Sequence, residues 1–278
     1  MIVVSVCSLK GGVGKTSVVL GLASAALARQ LPTLVVDLDP QADATLALDV
    51  PASSAPGAEG DIAAVLGAAR RPPAGSAVTP SAWARGETGR LDVLAGSADV
   101  AELERPGGSE RTVSRLAQRL SATLAGLDQY RLALLDCPPS LGALTLSGLA
   151  ASNRAIVVTE PALFSVSAAD RALRAIDALR SGPAPELQPL GVLVNRYRER
   201  SPEHRYRLEE LSDMFGPLVL NPAIPERSAL QQSQGASQPL HAWPGPAARD
   251  LAQAFDTHLA RILRVAARGS RRPAAASS

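Results

Sequence analysis

The stretch SLKGGVGKTS (8–17) restricts the fold of this chain more than any other ten residues. Gly11, Gly12 and Gly14 free the backbone to turn its N–H groups into one concavity, and a helix starting directly behind adds its positive N-terminal end. Residues 2–7 (IVVSVC) in front are apolar and rich in β-branched side chains, and residues 16–28 behind are apolar at helical spacing. Strand, glycine loop and helix in that order open a parallel α/β domain with an anion site at its first turn. Against the pattern Gly-x-x-x-x-Gly-Lys-Ser/Thr the loop is a variant: position 9 is leucine where the first glycine would stand, and a lysine follows at 10.

That lysine is informative because the chain has 28 basic residues and only Lys10 and Lys15 are lysine; every other one is arginine. A compact ammonium on a flexible stem fits among phosphate oxygens in a tight loop, where a planar guanidinium fork does not substitute. The loop residues Lys10, Gly11, Gly12, Val13, Gly14, Lys15, Thr16 and Ser17 are therefore expected to cradle a nucleotide. In this reading Lys15 reaches the β- and γ-phosphates and the Thr16 hydroxyl ligates Mg²⁺.

Further apolar runs at 34–37 (LVVD), 132–136 (LALLD), 155–159 (AIVVT) and 190–195 (LGVLVN) are continuous rather than alternating. Such runs suit strands covered on both faces. Helical patterns near 111–127, 167–179, 206–214 and 247–267 lie between or after them, so the expectation is a doubly wound, mostly parallel sheet with helices on both faces, the P-loop fold. Asp37, Asp39, Asp136, Thr159 and Asn195 fall at strand C-terminal ends, where open α/β sheets place ligands. Asp136 in particular closes its run as a magnesium-holding carboxylate would. A single domain over 1–268 is expected, with a loop-rich excursion at 51–90 around one short helix near 61–69, and a frayed tail at 269–278.

Composition narrows the classes. A 46% apolar, 19% charged chain is an ordinary globular one, and a net charge of +2 gives no global attraction to nucleic acid. The 3% aromatic content argues against base stacking on single strands. Cys7 and Cys137 have no metal-ligand spacing and read as small buried hydrophobes in a reducing cytoplasm. No run reaches the roughly 18 to 20 apolar residues of a membrane span.

The segments KGGVGKT, DLDPQADAT (37–45) and DCPPSLGALTLSGL (136–149) together resemble the ParA partition ATPases, members of the deviant Walker A group that also holds MinD, nitrogenase iron protein and the arsenite-pump ATPase. LDVLAGSADVAELE (91–104) and AIPERSALQQSQGASQPLHAW (223–243) extend the likeness in order and spacing. The resemblance implies an ATPase in which Lys15 serves its own nucleotide while Lys10, the signature lysine, reaches across an ATP-sandwiched homodimer. By position, Asp39 resembles the carboxylate that orients or deprotonates the attacking water, and Asp37 one supporting the magnesium shell beside Thr16 and Asp136. Asn195 resembles the residue whose amide reads adenine, and Pro225 is expected to border the base. The histidines His204, His241 and His258 fall outside these clusters and are expected at the surface or in caps.

The stretch 195–207 (NRYRERSPEHRYR) carries five arginines and two acids. In the family, basic residues near this strand end bind double-stranded DNA without sequence preference, so Arg196, Arg198, Arg200, Arg205 and Arg227 are the candidate DNA contacts, with nucleoid association and a ParB-like activating partner implied. Phosphate contacts of that kind would weaken steeply with salt. Where many relatives have Ile-Pro-Arg-Asn, this chain has Ile224-Pro225-Glu226-Arg227, an acid in place of a cation. Two rival readings are a MinD-like membrane switch anchored by the basic stretch 258–272, and an ATP-dependent metabolic ligase of the dethiobiotin or cobyrinate type. The first lacks a bulky aromatic in its anchor, and the second lacks the paired signature lysine.

Overall fold

The computed structural model describes residues 1–50, 60–67, 72–86, 88–104 and 109–269. In chain order the elements are β1 (Ile2–Cys7), α1 (Lys15–Ala28), β2 (Thr33–Asp37), α2 (Asp43–Ala47), α3 (Ile62–Gly67), β3 (Val78–Pro80), β4 (Leu91–Leu94) and α4 (Glu110–Ala125). There follow β5 (Leu132–Asp136), α5 (Ala143–Ala150), β6 (Arg154–Thr159), α6 (Ser165–Arg180), β7 (Gln188–Val194), α7 (Pro202–Phe215), β8 (Val219–Leu220), α8 (Ser228–Gly235) and α9 (Pro246–Gly269). One sheet holds the strands in the order β3-β4-β2-β5-β1-β6-β7-β8, parallel except where β3 meets β4.

The glycine loop therefore leaves the sheet from a central strand, β1, between β5 and β6. Both faces of that strand are covered. Ile2, Val4 and Val6 face the cluster built with α1 and α9, whereas Val3 and Cys7 face the one built with α4, α5 and α6. This two-sided burial is why β1, β2 and β5 read as continuous apolar runs. In the β2–β5 pairing Asp37 stands directly opposite Asp136, so register alone brings two carboxylates side by side at the edge where the loop begins.

Helix starts follow from local chemistry. The Ser109 hydroxyl accepts from the Thr112 N–H ahead of α4, and the Ser201 hydroxyl accepts from the His204 N–H ahead of α7, which has Pro202 in its first turn. α1 and α9 meet through a notch at Gly21, where an added Cβ would lie 2.3 Å from the Phe255 ring. Phe255 is fully buried. Gly21→Ala gains helix propensity but overpacks this contact; we expect a net destabilisation of about 1–3 kcal/mol, read from urea unfolding, and a more stable variant would disprove the fit.

The structure departs from the sequence expectation at several places. The excursion expected at 51–90 contains an ordered strand, β3, besides α3, and β4 completes the sheet at 91 onward. β4 (LDVL) breaks the apolar pattern with a buried Asp92, whose carboxylate accepts from the Tyr130 hydroxyl at 2.5 Å and from Arg90 Nε at 2.6 Å. Burial and that carboxylate push the Tyr130 phenol up to about 12. β8 is two residues long, and α5 and α8 are short and rich in small or polar residues, so none carries a periodic signal. Gly269 closes α9 instead of opening a tail, and 270–278, like 51–59 and 68–71, lie outside the described residues.

Candidate functional site

The loop after β1 turns through Gly12 and Gly14, with φ of 79° and 86°, conformations that favour glycine. Gly14 also faces the Asn195 side chain so closely that an added Cβ would lie 2.3 Å from its amide nitrogen. Behind it α1 begins at Lys15, so the first helical N–H groups and the loop amides open onto one concavity.

Three aspartates stand beside that concavity. The Thr16 hydroxyl donates to Asp136 Oδ2 at 2.7 Å, while Asp136 Oδ1 is buried without a hydrogen-bond partner. Burial, with the neighbouring Asp37 charge second, pushes the Asp136 carboxyl up to about 8; Lys15 and Thr16 act the other way. An orphaned buried oxygen beside a threonine hydroxyl at the phosphate end of a glycine loop fits a divalent cation, which would favour the ionised form. Among the described residues no cluster of three or more metal-ligating His, Cys, Asp or Glu side chains exists.

Asp37 is different. Its Oδ2 accepts from the Thr45 N–H at 2.9 Å and the Thr45 hydroxyl at 2.8 Å, and its Oδ1 accepts from the Asp39 N–H at 3.2 Å. The Thr45 hydroxyl accepts in turn from the Gly96 N–H at 2.8 Å. Burial pushes the Asp37 carboxyl up to about 6 against those donors. Both Asp37 oxygens are thus engaged in fixing the loop that carries Asp39. Asp39 itself is nearly buried, with Oδ2 3.9 Å from Lys15 Nζ and Oδ1 accepting from the Gln41 N–H.

The two lysines part company. Lys15 is 7% exposed and turned into the aspartate group; the Lys10 side chain is 58% exposed and its ammonium pairs with Glu160 Oε1 at 2.5 Å, just past β6. Asn195 is brought to the loop, where its amide donates to the Val13 carbonyl at 2.8 Å. Pro225 lies beside the same strand end through its bridge to Tyr197, on the rim of a cavity of about 430 Å³. Ser17 donates to Gln234 Oε1 at 3.3 Å.

The arginine cluster is only partly free. Arg198 is salt-bridged to Glu226, the acid standing in a cation's place, which holds the Glu226 carboxyl below the usual carboxylate range. Arg200 and Arg205 are exposed with no ion-pair partner among the described residues, Arg227 is exposed, and Arg196 adopts a left-handed φ of 57° next to them. The histidines differ from expectation. The His204 ring accepts from the Arg198 N–H at 3.0 Å ahead of α7, His258 is 1% exposed and hydrogen-bonded to the Pro222 carbonyl, and half-buried His241 bonds Ser24. Burial lowers both of the latter below the usual imidazole range.

Sequence reasoning missed Glu160, Gln234 and Glu104. Glu104 accepts from the Ser140 hydroxyl at 2.7 Å and the Leu144 N–H at 2.8 Å, bracing the turn from Asp136 into α5. Glu160 had a signal, an acid directly after a strand-ending threonine.

A phosphate-cradling loop on the central strand of a parallel sheet, with Thr16, Asp136 and Asp39 around it, defines a P-loop nucleoside-triphosphate-binding protein. The chain matches the AAA_31 model (AAA domain) over residues 1–188 and belongs to that family, as a ParA-like P-loop ATPase. It is 29% identical over 254 residues to an uncharacterised protein of Mycobacterium tuberculosis, covering 90% of this chain and 75% of that one. It is 26% identical over 239 residues to the chromosome partitioning protein ParA of Caulobacter vibrioides, covering 86% and 85%. Among solved structures, cobyrinic acid a,c-diamide synthase from Mycobacterium smegmatis with bound ADP and magnesium superposes with a TM-score of 0.74 at 26% identity over the whole of both chains. An ATP complex of McdA from Cyanothece gives 0.78 at 19% identity over 95% and 96%, a likeness of fold.

Proposed function

We propose that this chain is an Mg·ATP-dependent switch: with ATP it forms a homodimer that binds double-stranded DNA nonspecifically, and hydrolysis to ADP and phosphate releases it, so that a chromosome, cargo or division-site factor is positioned. The observation that carries the reading is Lys10, a second loop lysine whose side chain is 58% exposed and pairs with Glu160, while Lys15 is the one beside Asp39. An exposed cation there suits a second subunit's phosphates better than its own.

Within one subunit, the loop amides and Lys15 hold the triphosphate, and Thr16 with Asp136 would hold the magnesium ion, which when bound neutralises phosphate charge. Asp39 sits 3.9 Å from Lys15, at the phosphate end, where it would orient the attacking water and accept its proton. Asp37 and Thr45 keep that carboxylate in place. The arginines at 196, 200, 205 and 227 form the surface for DNA phosphates, with a ParB-like protein as activator and the nucleoid as location.

The test has two arms. Retention on random-sequence duplex DNA should be highest with ATP and fall as salt rises; equal retention with ATP, ADP and no nucleotide would end the switch reading. Lys10→Ala should keep nucleotide binding and lose ATP-dependent dimerisation, checked by light scattering after size exclusion.

The ligase reading keeps one observation in its favour, the full-length superposition on the mycobacterial cobyrinic acid a,c-diamide synthase at 26% identity. It requires ATP consumption to depend on a carboxylic-acid acceptor, whereas the switch hydrolyses ATP without one. For a membrane-anchored switch, no helix among the described residues is long and apolar enough to cross a bilayer.

A further inference from the structure

The face of the sheet opposite α1 and α9 carries a groove of about 1380 Å³ between α4 and α6. Those two helices are each 16 residues long, whereas α5, which packs on both, has 8 and ends at Ala150. The middle of the helical layer is therefore low, and small side chains keep it open: Ala117, Ala150, Ala175 and Ala178 line it with Leu146 and Leu179. The groove follows α4 from Glu110 to Ala122, a length of about 18 Å, or three helical turns.

It is not built like a small-molecule site. None of its lining residues has a buried side-chain polar atom without a partner, and Ser114, Gln118 and Ser121 are exposed along the α4 rim. Its charge is one-sided. On α6, Arg174 pairs with Asp170 and Arg180 with Asp177. On α4, Arg111 and Arg115 line the groove, are exposed, and have no ion-pair partner among the described residues. They stand four residues apart, so two like charges repel across one turn, and Arg111 lies in the first turn, where a cation opposes the helix dipole. Neither placement stabilises α4, and Glu110, the acid beside them on the groove, offsets only one of the two charges.

We infer that this groove docks an acidic amphipathic helix of a partner protein, whose apolar stripe covers the alanine and leucine floor and whose carboxylates, one turn apart, meet Arg111 and Arg115. The floor supplies the apolar area, and the small side chains let the partner's backbone come close. The arginines supply the selectivity, since an acidic helix relieves their repulsion and a basic one adds to it. Duplex DNA would satisfy the arginines and leave the apolar floor in water. The inference goes beyond the nucleotide reading and holds whether or not ATP drives dimerisation.

The probe is a display library of randomised helices about 18 residues long, selected on the full chain and counter-selected on a variant carrying Arg111→Glu and Arg115→Glu. Enriched sequences should share an apolar stripe with Asp or Glu four residues apart beside it. A synthetic peptide of the leading sequence should bind wild type and lose about tenfold or more in affinity for the double variant, and as much for Ala178→Gln, which fills the floor from an exposed position. Lysine in place of the peptide's acids should abolish binding to wild type and restore part of it to the double variant. Nucleotide affinity should stay within about twofold in both variants, a check that they are folded. No enrichment, enrichment of basic helices, or equal affinity for wild type and the double variant overturns the inference. So does loss of self-association in sedimentation, or of duplex DNA retention, in the double variant with peptide binding unchanged, because the occupant would then be a second copy or a nucleic acid.

Discussion

Lys15→Ala is expected to abolish measurable nucleotide binding, with affinity falling at least about a hundredfold, on the order of 3 kcal/mol, because charge-assisted contacts to two phosphates disappear from a nearly buried position. The loss should exceed that of any other single loop substitution. Burial pushes the Asp136 carboxyl and the Cys7 and Cys137 thiols up, and the Lys15 charge partly opposes that rise in all three. Without it the aspartate group has no counter-charge inside the site. Fluorescence titration with a labelled ATP analogue measures the effect, and circular dichroism checks folding. Retained affinity would mean that the loop amides and helix end suffice, and the role of Lys15 would fall.

Asp136→Asn should separate stability from activity. Burial raises the Asp136 carboxyl from its ordinary 3.8 to about 8, so between those values the folded chain holds a proton that the unfolded chain has released. The stability associated with that proton is fully present below about pH 4 and is lost as the pH rises through 8. Asparagine does not titrate, so relative to wild type the variant should gain thermal stability as the pH rises in the absence of magnesium, by at least about 5 °C between pH 5 and 8.5. It can still accept from the Thr16 hydroxyl through its amide oxygen. With Mg·ATP the order should reverse, because wild type gains the ion's attraction for an ionised carboxylate and the variant does not. Magnesium-dependent hydrolysis should drop by a factor on the order of 10³. Parallel melting curves for the two proteins across this pH range without magnesium would show that the carboxylate is not strained by its burial.

What was legible in the sequence follows signal strength. The β1 loop, Asp37, Asp39, Asp136 and Asn195 were visible because doubly covered strands are apolar runs and their ends stand out against them. The direction of each polar group was not legible. Asp37 turns to Thr45 and Asn195 to Val13, since a buried carboxylate or amide takes whichever backbone donor or acceptor the folded chain supplies, and that partner lies 8 residues away in one case and 182 in the other. β4 escaped because Asp92 interrupts its pattern and is satisfied by Arg90 beside it and by Tyr130, 38 residues on. Glu226 was visible in the sequence as an acid in a cation's place, but its pairing with Arg198 was not, because it joins two strand-end turns that the β7–β8 side of the sheet brings together.

The notch at Gly21 that receives Phe255 has a practical consequence. α1 supplies Lys15, Thr16 and Ser17 from its first turn, and α9 leans on that same helix less than two turns further along. Trimming the chain from its C-terminal side, or fusing a bulky partner there, should therefore show up first as weakened ATP retention, and an experimenter mapping binding determinants by deletion would be led to the wrong end of the molecule.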